Sequence, residues 1–192
     1  HKDKEIHIVY VGFFCHTAHQ SMISHIKDIL KQRLNVHLYS NESLSKEIIL
    51  MVTENNPKIG KYLHIHNYVS PDKLSKEISK YDFGIHYSEF SSIATPKIEE
   101  LSTGNKKSSY FEALIPIIVQ KKMKFTNKDV KKNYLGILIK DIKNLGWKIE
   151  QFNYIKSLEN IQEFREKNSV ESNINNLIKF ISTLNEKQDN IN

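Results

Sequence analysis

From residue 6 onward the sequence switches back and forth between two periods. Residues 6–11 (IHIVYV) are a short apolar run rich in β-branched side chains and closed by Gly12, the pattern of a buried strand. Met22, Ile23, Ile26, Ile29 and Leu30 then recur at helical spacing, behind a Thr17 suited to cap the helix they stripe. The exchange repeats, with strand character at residues 36–39, a helix over 43–55 around Ile48, Ile49 and Val52, and strand at 62–66. Ser70-Pro71-Asp72 follows, giving a cap, a proline at the first helical position and an acidic first turn. Strand returns at residues 82–87, helix at 106–114 and strand at 115–120 and 136–139, with the polar residues between the last two reading as a connection. Leu158, Ile161 and Phe164 mark a late helix. Val170, Ile174, Leu177, Ile178, Ile181 and Leu184 form the clearest apolar stripe, predicting a C-terminal helix over about 170–187.

Such alternation points to one α/β architecture: a Rossmann-like, doubly wound, mostly parallel sheet with helices on both faces. No repeat, low-complexity linker or second composition zone divides the chain, so residues 1–192 read as one domain. Right-handed crossovers place a ligand beyond the carboxyl ends of the strands, where strand order reverses.

Composition removes several classes. With 39% hydrophobic and 26% charged residues, the chain is neither disordered nor fibrous, and no apolar run approaches the ~20 residues that span a bilayer. The start carries no signal-peptide pattern, and His1 in place of Met predicts a fragment, a trimmed chain or a processed product, which leaves room for an N-terminal partner domain outside this sequence. A single cysteine, Cys15, excludes an internal disulfide and fits a cytoplasmic setting. The net charge of +6 is nearly all lysine, concentrated at Lys121, Lys122, Lys124, Lys128, Lys131 and Lys132. That run reads first as solvated surface and second as attraction to an anionic membrane at which the protein would be peripheral. It does not suit nucleic acid, having one aromatic, Phe125, and no arginine fork to read bases.

The residues just past each strand are the candidate site. Gly12 at the first strand–helix turn lets backbone approach a ligand, and free helix N–H groups there favour phosphate, with His16 beside them as a donor. The further glycines of a dinucleotide fingerprint are absent. Asn67, Tyr68 and Val69 follow the third strand, where a flat base could lie against an aromatic; Tyr87, Ser88 and Glu89 follow the fourth. Asp82-Phe83-Gly84 has none of the other kinase motifs around it and reads as a strand entrance. His64 and His66 share one strand face without a nearby third ligand, so no metal site is assigned. No Ser-His-Asp order or paired-carboxylate spacing stands out.

Residues 106–119 (KKSSYFEALIPIIV) carry the most specific pattern. Their order resembles the Lys-x-x-x-Tyr-x-x-Ala-x-x-Pro motif that lines the sugar-nucleotide cleft of the C-terminal, donor-binding half of GT-B glycosyltransferases. Residues 6–39 and 62–87 are similar to other blocks of that half. The resemblance implies transfer of a sugar from a nucleotide-sugar donor, with no bound metal or other cofactor, in polysaccharide or glycoconjugate biosynthesis. It implies an acceptor held by a separate N-terminal domain. Lys106 would meet the donor's phosphate or ribose and Tyr110 would pack beneath the cleft. Two positions depart from the family: Ser109 stands where a ribose-binding carboxylate is usual, and Leu114 where glycine is usual. Glu99, Glu100 and Glu112 are nearby carboxylates. The departures leave open a non-catalytic binding or scaffolding module of the same fold, and a nucleotide-sugar epimerase half is a third reading.

Overall fold

The computed structural model describes residues 4–12, 19–39, 45–53, 57–86 and 104–189. Six strands, β1 (His7–Val11), β2 (Asn35–Tyr39), β3 (Leu63–His66), β4 (Phe83–His86), β5 (Ile117–Gln120) and β6 (Gly136–Ile139), form one sheet in the order β3-β2-β1-β4-β5-β6. Every pairing is parallel. The helices are α1 (His19–Leu30), α2 (Ser45–Thr53), α3 (Pro71–Ile78), α4 (Gly104–Glu112), α5 (Lys124–Asn133), α6 (Leu145–Glu150), α7 (Tyr154–Asn168) and α8 (Val170–Asp189).

Alternation along the strands sends successive side chains to two cores. Ile8, Tyr10, Val36, Leu38, Phe83, Ile85, Ile137 and Ile139 point to one face, where Ile23, Ile26, Ile29 and Leu30 of α1 and Val52 of α2 meet them. Val9, Tyr39, Ile117 and Val119 point to the other, against Ile78 of α3, Tyr110 and Phe111 of α4, Val130 of α5 and Ile161 of α7. Strands covered on both faces must read as nearly continuous apolar runs, as β1 and β5 do.

Three expectations need correction. The polar connection after β5 contains α5, a helix whose only buried residues are Thr126 and Val130 and which ends at a left-handed Tyr134. Ser70 sits at the cap position of α3 in extended backbone, but its side chain makes no capping hydrogen bond; Pro71 and the acidic Asp72 are the start signals that operate. An apolar stripe on the last helix is expected either to pack on the chain's own sheet or to cross to a partner domain, and the first of these does not occur. Both sheet faces are already covered, and along α8 Val170, Leu177 and Ile178 are 72%, 52% and 55% exposed. The Thr17 cap and residues 87–103 lie outside the described residues.

Candidate functional site

Strand order reverses between β1 and β4, both central to the sheet, so the ligand crevice of such a fold is expected above their carboxyl ends. Gly12 caps β1 there, with φ at +151° and its N–H donating to the Tyr39 carbonyl at 3.1 Å. That backbone conformation favours glycine, and so does the space above it. A β-carbon on Gly12 would lie 2.6 Å from Cε of Lys106 and 3.1 Å from its Nζ. The first turns of α4 thus lay the Lys106 side chain directly across the Gly12 backbone. Its ammonium sits 5.1 Å from the centre of the Tyr10 ring. Burial pushes the Lys106 ammonium below the usual lysine range, and among the described residues no carboxylate pairs with it. The adjacent Lys107, by contrast, is bound to Asp129 of α5 at 2.8 Å.

Tyr110 lies one turn further along α4 and is fully buried beneath this point. Its hydroxyl accepts from the Val11 N–H and donates to the Ile85 carbonyl, each at 3.1 Å, tying the end of β1 to the end of β4. The ring fits because residue 84 has no β-carbon, which would come within 2.3–2.6 Å of ring atoms. The strand-entrance reading of Asp82 agrees with its carboxylate, which accepts from the His7 N–H at 2.7 Å.

The structure therefore brings together Gly12, Lys106 and Tyr110. Ser109 is half-buried on α4 beside Tyr110. Tyr68 and Val69 follow β3, two strands from β1 and so roughly 10 Å away. Tyr68 is 61% exposed, while Val69 turns inward against the core. His16, Glu99 and Glu100 lie outside the described residues.

Sequence reasoning missed His86. It closes β4 beside the strand-order reversal, is 7% exposed, and carries a buried Nδ1 with no hydrogen-bond partner among the described residues. Burial, with Lys106 and Lys107 adding to it, holds its pKa down at about 4. The only sequence signal was its position as the last residue of a strand beside the reversal.

His64 and His66 belong to a larger cluster on the β1-β2-β3 side of the sheet. The Tyr39 hydroxyl donates to Glu77 at 2.6 Å, so it must accept from Tyr81 at 2.7 Å. Tyr81 in turn accepts from Nε2 of His66 at 3.3 Å. That same Nε2 lies 2.9 Å from Nδ1 of His37, and Nε2 of His37 lies 2.8 Å from Nδ1 of His7. His64 stacks on His37, with centroids 4.4 Å apart. Among the described residues no three His, Cys, Asp or Glu are placed to hold a metal ion.

A six-stranded parallel sheet in this order, covered on both faces, is a doubly wound, Rossmann-like fold, and it matches the fold of GT-B glycosyltransferases among solved structures. The chain belongs to the family of glucosyltransferase 3-like C-terminal domains, whose model matches residues 20–179. No curated protein is significantly similar in sequence. Among solved structures, a variant of S. aureus TarM in complex with Fondaparinux, alpha-GlcNAc-glycerol and UDP matches with a TM-score of 0.62 and 16% identity, over 91% of this chain and 35% of that one. An E. coli structure titled trehalose-6-phosphate, bound with UDP-2-fluoro glucose, matches at 0.57 and 12% identity, over 95% of this chain and 44% of that one. The catalytic domain of Helicobacter pylori cholesterol-alpha-glucosyltransferase matches at 0.54 and 15%, over 85% of this chain and 97% of that one. At such identities the likeness is one of fold. The chain spans about a third of the TarM chains it matches.

Proposed function

We propose that this chain supplies the donor-nucleotide site of a glycosyltransferase and holds the diphosphate of a nucleotide sugar at the β1/β4 crevice. One observation carries the reading: a desolvated Lys106 ammonium lies across Gly12 at the strand-order reversal, with no carboxylate among the described residues to neutralise it. A half-buried cation with no counter-ion among the described residues is costly, and a phosphate oxygen is the counter-ion that such a crevice admits. The neighbours crystallised with UDP or a UDP-sugar support the choice of nucleotide. The contribution to transfer is electrostatic, with the ammonium stabilising the diphosphate as it leaves the sugar. The acceptor and any catalytic base lie on a second domain. The six lysines of residues 121–132 are all exposed and give the domain a face suited to an anionic membrane.

Ser109 in place of a carboxylate favours a second reading, a module that binds the nucleotide without catalysing transfer. Calorimetry with uridine, UDP and UDP-glucose tests the site common to both readings. Lys106→Ala is expected to weaken UDP by roughly 1.5–3 kcal/mol, about ten- to a hundredfold, while uridine is little affected. Equal losses for the two ligands, or no UDP binding by the unaltered chain, would refute the assignment.

A further inference from the structure

We infer that His86 is a ligand of the donor diphosphate and that its imidazole takes up a proton from solvent as the anion binds. The inference rests on the donor-site reading above and adds to it a second phosphate-binding residue and a pH dependence.

Placement is the first support. Gly84 and His86 share a face of β4. Gly84 packs on Tyr110, so His86 meets the preceding turn of α4, where Lys106 and Lys107 stand close enough to act on its charge. The second support is the bare nitrogen. Nδ1 is buried in a residue 93% removed from solvent, and an unpaired polar atom there costs free energy unless a ligand completes it. The third is the balance of charge. From α4 come Lys106 and Lys107, and from α5 Asp129, which neutralises Lys107. From β5 the register partner is Val119, which is apolar, and the Tyr110 hydroxyl is committed to Ile85. Among the described residues one uncompensated cation and one orphan nitrogen remain, an arrangement that an anion completes.

In the free chain burial and the lysines keep His86 neutral at pH 7. A diphosphate brings two negative charges beside the ring and reverses the sign of that field, raising the imidazole pKa. The proton sits on Nδ1 and is donated to a phosphate oxygen. Between the free and the raised values the complex binds more protons than its separate parts, so affinity rises as pH falls.

UDP-glucose is the probe, because it has no terminal phosphate and so lacks the ligand ionisation near pH 6. Calorimetry at pH 6 in two buffers of different ionisation enthalpy is expected to show proton uptake. Affinity is expected to rise several-fold between pH 7.5 and 5.5, against a limit of about tenfold per pH unit for one proton. His86→Asn is expected to bind more weakly and with neither effect. Equal proton uptake by the unaltered chain and the variant overturns the role of His86 while leaving the donor site standing. Absence of UDP-glucose binding by the unaltered chain overturns both. Should His86→Asn fail to fold, NMR titration of the His86 ring in the unaltered chain decides the matter: a pKa raised by UDP-glucose is the expected result, and an unmoved one refutes the inference.

Discussion

Tyr110 occupies the volume a side chain at residue 84 would need, and its hydroxyl replaces strand-to-strand hydrogen bonding where β1 and β4 diverge. Gly84→Ala is therefore expected to push the ring off both hydrogen bonds. The cost is about 2–4 kcal/mol, from overpacking together with a buried N–H and carbonyl left unpaired. Urea unfolding gives the first readout and UDP-glucose calorimetry the second, since Lys106 rides on the same helix. Wild-type stability in Gly84→Ala would refute the coupling. Leu114 shows how a departure from the family pattern is absorbed. It holds φ at +57°, the left-handed geometry that glycine adopts freely, so the turn is kept at a cost of about 1–2 kcal/mol. Lys106 and Tyr110 were singled out in the sequence by the resemblance of residues 106–119 to a family motif, and their four-residue spacing on α4 then puts them on one face. His86 was not, because a single histidine closing a strand has no local signature until the neighbouring helix is in place.

The strands and amphipathic helices were legible element by element, within a residue or two, because burial on both faces leaves an unbroken apolar run. α5 was not. Six lysines across residues 121–132 mask a helix anchored only by Thr126 and Val130, and its terminator is Tyr134 where glycine or asparagine would have signalled a stop. The β2-β3 side of the sheet carries an acid liability that alternation alone could not reveal. Burial first, then neighbouring charges, lowers the pKa of His37 to about 2, and His64 and His66 are lowered chiefly by burial. His37 remains neutral when folded, and His64 and His66 take up protons less readily than usual, whereas in the unfolded chain all three gain protons below about pH 6.5. The unfolded state then binds more protons, so stability is level above pH 6.5 and falls as pH drops below it. His37 alone accounts for up to about 1.4 kcal/mol per pH unit, and the half-exposed His64 and His66 add less. Urea midpoints at pH 7.5, 6.0 and 5.0 should descend in that order, and a flat series would contradict the account.

At the scale of the whole molecule, α8 stands apart. It packs against α7, and Val170, Ile174, Leu177, Ile178 and Ile181 face outward along its length. Apolar side chains are worth roughly 1.5–3 kcal/mol each when buried, so a row of them left to water drives association. The isolated chain is expected to self-associate in sedimentation, with Leu177→Asp restoring the monomer and leaving the circular dichroism unchanged. A monomer with the native sequence at high concentration would refute this. The strand order has a further consequence, for the time course of folding. β1 meets β2 through His7 and His37, 30 residues apart, but reaches β4 through His7 and Asp82, 75 residues apart. Closing the longer loop carries the larger entropy, so the nearer pairing is favoured to come first. A nascent β1-β2-β3 sheet has every histidine of the ladder but no floor for the crevice. The ability to hold a nucleotide then arrives last, and ligand capture during refolding would serve as a clock for the final docking of β4.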